Sequence, residues 1–106
     1  MNDGLTDAVR DSIRSILSSH PGVEKAVVFG SRAMGSHVPE SDIDICLFGT
    51  TLTLTDQVSL AAVMDALPIP QKVDLLRYHT ISNRELIEHI DRVGMLLYHR
   101  STIYSR

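Results

Sequence analysis

Three aspartates and one glycine–serine turn are the residues of this chain whose types and spacing could do chemistry. Asp42 and Asp44 stand one residue apart in Ser41-Asp42-Ile43-Asp44, and Asp74 follows in Lys72-Val73-Asp74-Leu75. Upstream, Gly30-Ser31 closes the apolar run Ala26-Val27-Val28-Phe29. A glycine after a buried strand lets the backbone approach a ligand with no side chain between them. If Ser31 opens a helix, the N–H groups beside it point outward and suit an anion such as phosphate. The plainer reading is an ordinary strand-to-helix turn with a serine cap.

On a strand, side chains alternate, so Asp42 and Asp44 face one way while Ile43 and Ile45 face the other. Like charges that close repel, and burial adds to the cost. A divalent cation relieves both, because Mg²⁺ accepts hard oxygen ligands. The competing reading is an exposed acidic strand end. Asp74 lies among Val73, Leu75 and Leu76, where a lone acid is costly to bury without a partner or a metal. Lys72 or Arg77 could supply that partner. If the two strands lie side by side, the three carboxylates converge. Such a triad can hold two metal ions that orient a triphosphate, and Asp74 would then sit near an attacking hydroxyl and could accept its proton.

The elements that must position these groups follow from periodicity and punctuation. Leu5, Val9, Ile13, Ile16 and Leu17 predict a helix over 5–19, capped by Asp3 or Thr6 and stopped by His20-Pro21-Gly22. Residues 23–29 are short, β-branched and apolar at their end, which suits a strand buried on both faces. Residues 31–34 make a brief helix before Gly35, and 36–40 a loop. A second strand covers 42–48, ended by Gly49. Residues 50–55 read equally as strand extension or loop. Thr55 or Asp56 caps a helix to about residue 66, which Pro68 and Pro70 stop.

A third strand spans 72–78. Ser82 or Asn83 caps a last helix, with Glu85 at capping-box distance from Ser82. Leu86, Ile87, Ile90, Val93, Leu96 and Leu97 carry its period to about Tyr98, and HRSTIYSR makes a basic, polar tail. Strands alternating with helices imply an α/β arrangement in a single domain, 1–106.

The pattern Gly30-Ser31-Arg32-Ala33, then Gly35, then Ser41-Asp42-Ile43-Asp44, with Asp74 in a later strand, resembles the minimal nucleotidyltransferases of the DNA polymerase β-like superfamily. Their motif is a Gly-Ser turn, a spacer, an Asp-x-Asp pair and a third Asp on a following strand. The likeness runs over 23–98, where Ile90, Gly94, Leu97 and Tyr98 look like the family's closing segment. It implies an α/β (α+β) fold with a small mixed β-sheet flanked by helices. It also implies Mg²⁺, two ions, and transfer of a nucleoside monophosphate from a nucleoside triphosphate to a hydroxyl. Carried over residue by residue, Gly30 and Ser31 bind the triphosphate, and Asp42 and Asp44 hold metal. Asp74 completes the catalytic set as ligand and base. Many close relatives carry arginine where this chain has Met34, and Arg32 is the substitute cation for phosphate.

Small stand-alone members of this type resemble the antitoxin half of a two-gene toxin–antitoxin pair. That resemblance implies a helical HEPN-domain RNase as partner, silenced when AMP passes from ATP to one of its tyrosines. A chain of 106 residues leaves no room for an acceptor domain, so a partner surface is expected to bring the hydroxyl.

Ten Lys and Arg against thirteen Asp and Glu give a net charge of -3, unlike domains built to grip nucleic-acid backbone. Direct nucleic-acid binding is therefore not expected. The single cysteine, Cys46, cannot form an internal disulfide, which suggests a reducing compartment. No apolar stretch approaches bilayer length. The polar, acidic start MNDGLTDAVRDS is unlike a secretory signal, so a cytoplasmic protein is expected. The histidines His20, His37, His79, His89 and His99 lack metal-ligand spacing and read as surface or loop residues. His37, between the turn and the aspartate pair, could touch a phosphate. Tyr104 in the tail is a candidate self-modification acceptor. Two rival functions stand beside AMP transfer to a toxin. One is a binding module that neutralises its partner by contact; the other is nucleotidyl transfer to a small molecule.

Overall fold

The three longer helices begin where a side chain offers an oxygen to their free N–H groups. In the computed structural model, which describes residues 3–100, the Thr6 hydroxyl accepts from the Val9 N–H and starts α1 (Asp7–Ser18). The tail beyond residue 100, with Tyr104, lies outside the described residues. Strand β1 (Lys25–Phe29) leads into a single helical turn, α2 (Ser31–Met34), and then β2 (Ile43–Phe48). Helix α3 (Leu54–Asp65) follows, then β3 (Val73–Arg77), a 3-10 turn at Tyr78–Thr80, α4 (Arg84–Val93) and β4 (Met95–His99).

The four strands form one mixed sheet in the order β3-β2-β1-β4. Strand β1 pairs antiparallel with β2 and β4, while β2 and β3 run parallel. One face carries Ala26, Val28, Ile43, Ile45, Leu47, Val73 and Leu75, and clusters with Ile13 and Leu17 of α1 and Leu60 and Met64 of α3. The other face carries Val27, Phe29 and Cys46 against Ile90 of α4. Full burial of one such side chain contributes about 1.5–3 kcal/mol. Helix α4 buries only Ile90 completely, so its seat on the sheet is the lighter of the two layers. Among the described residues, no helix is long and apolar enough to cross a membrane.

Two local expectations are corrected, and one open choice is decided. The last helix stops at Val93, and Met95–His99 pairs with β1 as a fourth strand. The apolar run Leu96-Leu97 fits either period. The Gly94 N–H closes on the Ile90 carbonyl, and the extended backbone at Gly94 then turns the chain out of the helix. The cap of α3 is Thr53, in a reciprocal capping box with Asp56, and residues 50–53 are a turn and loop. Of the two caps offered for α4, Asn83 is the one that forms, accepting from the Leu86 N–H.

Candidate active site

Asp44 and Asp74 are register partners on the adjoining parallel strands β2 and β3. Both therefore project from the sheet face that α4 covers only in part. Asp42 lies one residue before β2 and, by alternation, on that same side. Across the sheet, Phe29 at the end of β1 pairs with Asp44. The end of β1 and the starts of β2 and β3 thus meet at one place, and the three aspartates with the Gly30 turn gather there.

Asp42 is exposed and Asp44 half-buried. Partial burial pushes the Asp44 carboxyl above its ordinary range; Asp74 and then Asp42 push it further, and His89 opposes them. That influence on Asp44 is what neighbouring carboxylates on one site produce. Lys72 Nζ lies 3.5 Å from Asp74 Oδ1, and both side chains are exposed. The ordinary ion-pair partner is therefore real, but an exposed pair contributes only about 0–1 kcal/mol. It leaves Asp74 available.

Gly30 adopts φ 73° and ψ -149°, a region essentially reserved for glycine. A Cβ at this position would run into the Asp44 carboxylate. The turn and the carboxylate are thus in close apposition, and only glycine permits it. Gly30, rather than Ser31, is the N-cap of α2, and no side-chain oxygen caps this helix. The plain reading of a serine cap is therefore not what forms. Ser31 is the first helical residue, and the N–H groups of a first turn have no intrahelical acceptor.

Arg32 does not reach this site, and its expected part in phosphate binding is corrected. It is 1% exposed. Its Nε and Nη2 donate to the Ser41 carbonyl at 3.3 and 2.9 Å, Nη2 also to Pro39 O at 3.1 Å, and Nη1 to Asp3 O at 2.9 Å. The guanidinium is spent on backbone and ties the loop before Asp42 to the N-terminal segment. Asp3 is itself held by Arg10 at 2.7 Å. Burial raises the Asp3 carboxyl, but the Arg10 guanidinium and the Leu5 N–H outweigh that and keep it below the usual range. Met34 is 61% exposed. His37 packs beside Gly4, and its Nδ1 is buried without a hydrogen-bond partner.

His89 was missed from the sequence. Its Nε2 accepts the Gly30 N–H at 3.1 Å across a separation of 59 residues, and its ring meets Phe29 edge-on at 6.2 Å. A histidine on the polar flank of a helix carries no signal of such a contact. Cavities of about 450 and 540 Å³ lie elsewhere, lined by Lys25, Phe48 and Arg100 and by Arg14, Ser15 and Tyr98.

Among the described residues, no three Asp, Glu, His or Cys side chains form a ready-made metal cluster. Mg²⁺ rarely needs one, since it usually binds through one or two carboxylates plus waters and substrate phosphates. A hard cation suits the all-oxygen donor set of Asp42, Asp44 and Asp74. It would also relieve the repulsion that raises Asp44. The residues fit a cation that arrives with a phosphate-bearing ligand.

A mixed sheet with an Asp-x-Asp pair, a third Asp on the parallel neighbour and an apposed glycine turn defines a nucleotidyltransferase-type site. The family model described as polymerase beta, nucleotidyltransferase, matches residues 11–103. The chain belongs to that nucleotidyltransferase family. Among solved structures it is similar to a toxin–antitoxin crystallised with AMP-PNP, at 26% identity and TM-score 0.69, covering 85% of this chain and 73% of that one. The MntA–HepT toxin–antitoxin structure is 23% identical with TM-score 0.67, covering 89% and 73%. A tri-AMPylated Shewanella oneidensis HEPN toxin in complex with MNT antitoxin is 22% identical with TM-score 0.67, covering 90% and 73%. These last two likenesses bear on the fold. No curated protein matches the chain.

Proposed function

We propose that the chain is a Mg²⁺-dependent adenylyltransferase that moves AMP from ATP to a tyrosine hydroxyl of a HEPN-domain toxin, as the antitoxin of the pair. The observation that carries this reading is the shared register of Asp44 and Asp74 beside the Gly30 turn. The AMP-PNP-bound toxin–antitoxin relative supports ATP as the donor, and the AMPylated HEPN toxin bound to an MNT antitoxin supports the acceptor.

In this reading Gly30 and Ser31 receive the triphosphate, because the glycine leaves the backbone bare there. Asp42 and Asp44 would hold Mg²⁺, which would neutralise charge on the phosphates and on the leaving oxygen. Asp44, the more buried of the pair, sets the position, and exposed Asp42 completes the grip. Asp74 is open enough to meet an incoming hydroxyl. It accepts the tyrosine proton as the phenolic oxygen bonds to the α-phosphorus. The bond from that phosphorus to the bridging oxygen breaks, and pyrophosphate leaves with its electrons. The protein acts where it meets its partner, and a cytoplasmic setting is part of the proposal.

The double variant Asp42→Asn/Asp44→Asn, incubated with labelled ATP and the purified HEPN partner, is expected to lose transfer. Unchanged transfer would overturn the mechanism. A second reading has its own observation: Arg32 is buried and its guanidinium is consumed by backbone carbonyls. On that reading the chain neutralises its partner by contact alone. The wild-type protein would then suppress the toxin without labelling it, and the double variant would suppress it equally.

A further inference from the structure

We infer that His89 is a positioning residue: it holds the Gly30 turn in register with Asp44, so that a triphosphate received by the turn meets the carboxylates. The inference rests on the nucleotide-binding reading of that turn. Its basis is the bond from the Gly30 N–H to His89 Nε2 at 3.1 Å. To accept, Nε2 must carry no proton, so the tautomer is assigned with its hydrogen on Nδ1.

Three features make this bond more than a chance contact. First, α2 is one turn long and no side chain caps its start, so its entry depends on what restrains Gly30. Second, glycine visits positive φ as readily as negative φ, so its backbone alone does not fix the turn at φ 73° and ψ -149°, and the bond from His89 restrains it there. Third, the imidazole is itself oriented, because its ring lies edge-on to Phe29 at 79° and the next residue, Ile90, is the buried anchor of α4. Helix α4 thus transmits its packing on the sheet to the phosphate turn through one nitrogen.

The test uses the full-length chain and the variants His89→Ala, His89→Asn and His89→Gln. A glutamine oxygen can stand where Nε2 stands, whereas an asparagine oxygen stops short. Amide exchange at Gly30 by NMR and calorimetry with ATP and Mg²⁺ are read alongside the melting temperature. The Ala and Asn variants are expected to exchange the Gly30 amide faster and to bind ATP about tenfold more weakly, the order expected for one hydrogen bond. The Gln variant should restore both. A mere packing role would lower the melting temperature of Ala and Asn while the folded proteins kept wild-type ATP affinity, and that result overturns the inference. If Ala fails to fold, the contrast between Asn and Gln decides alone. If the wild type binds no ATP, the nucleotide reading itself falls and this inference with it. Binding by the wild type with equal binding by Asn removes only the role of His89.

Discussion

Asp44 and Asp74 occupy one register position on the parallel strands β2 and β3, with Lys72 the exposed cation beside the second of them. Twenty-nine residues, including all of α3, lie between two carboxylates that share an electrostatic field. The field raises Asp44 above an ordinary aspartate, first through burial and then through Asp74 and Asp42. The sign of the consequence follows from linkage. A carboxyl raised on folding favours the folded state at acid pH, fully below the ordinary value of 3.8, and that contribution is lost as pH rises through the raised value.

Asp44→Asn should therefore melt at a higher temperature than wild type at pH 7 in chelator. The gain should shrink as the pH is lowered toward the ordinary aspartate value. A gain of a few degrees is readable, since about 1 kcal/mol moves the melting point of a domain this size by roughly 4–8 °C. Mg²⁺ should raise the wild-type melting temperature and the variant's less. AMP transfer should fall by about a hundredfold or more, as expected when several kcal/mol of metal-borne stabilisation is removed. A variant that melts lower than wild type in chelator would count against carboxylate repulsion.

Arg32→Met should destabilise the fold before it affects nucleotide binding. The side chain is buried and donates to the carbonyls of Asp3, Pro39 and Ser41. A buried acceptor left without its donor costs about 1–3 kcal/mol, which urea unfolding would detect as a lower midpoint. Arg32→Lys should recover part of the stability, because an ammonium lacks the planar fork that meets several carbonyls at once. A Lys variant with wild-type stability and lost ATP affinity would return Arg32 to the phosphate site.

Gly30→Ala tests the close approach of backbone and carboxylate. The positive φ costs about 1–3 kcal/mol for any side chain, and the added methyl meets the Asp44 carboxylate. Circular dichroism should show a folded, less stable protein, while AMP transfer to the partner drops to background. Full transfer by a folded Ala variant would mean that the turn is not where the triphosphate sits.

Much of this molecule is legible along the chain because local rules act over a few residues. Alternation in Asp42-Ile43-Asp44-Ile45 assigns the two acids to one side of a strand. Glycine after Phe29 ends β1, and the oxygens of Thr6 and Asn83 start helices where expected. Failures fall where a local pattern is compatible with two periods or two partners. Leu96-Leu97 satisfies a helix or a strand, and the open edge of β1 settled it as β4. Arg32 suits a phosphate or a set of carbonyls, and the loop folding back over it at Pro39 and Ser41 consumed its donors.

The sequence by itself determined the chemistry on offer: a bare glycine turn, two acids on one strand face and a third in a later strand. Only the tertiary structure decided that β3 lies parallel beside β2, placing Asp74 level with Asp44, and that α4 delivers His89 to Gly30. Residue spacing controls which side of an element a group occupies. Which elements lie side by side depends on burying both faces of the sheet at once, a sum over contacts distant in sequence that no local pattern contains.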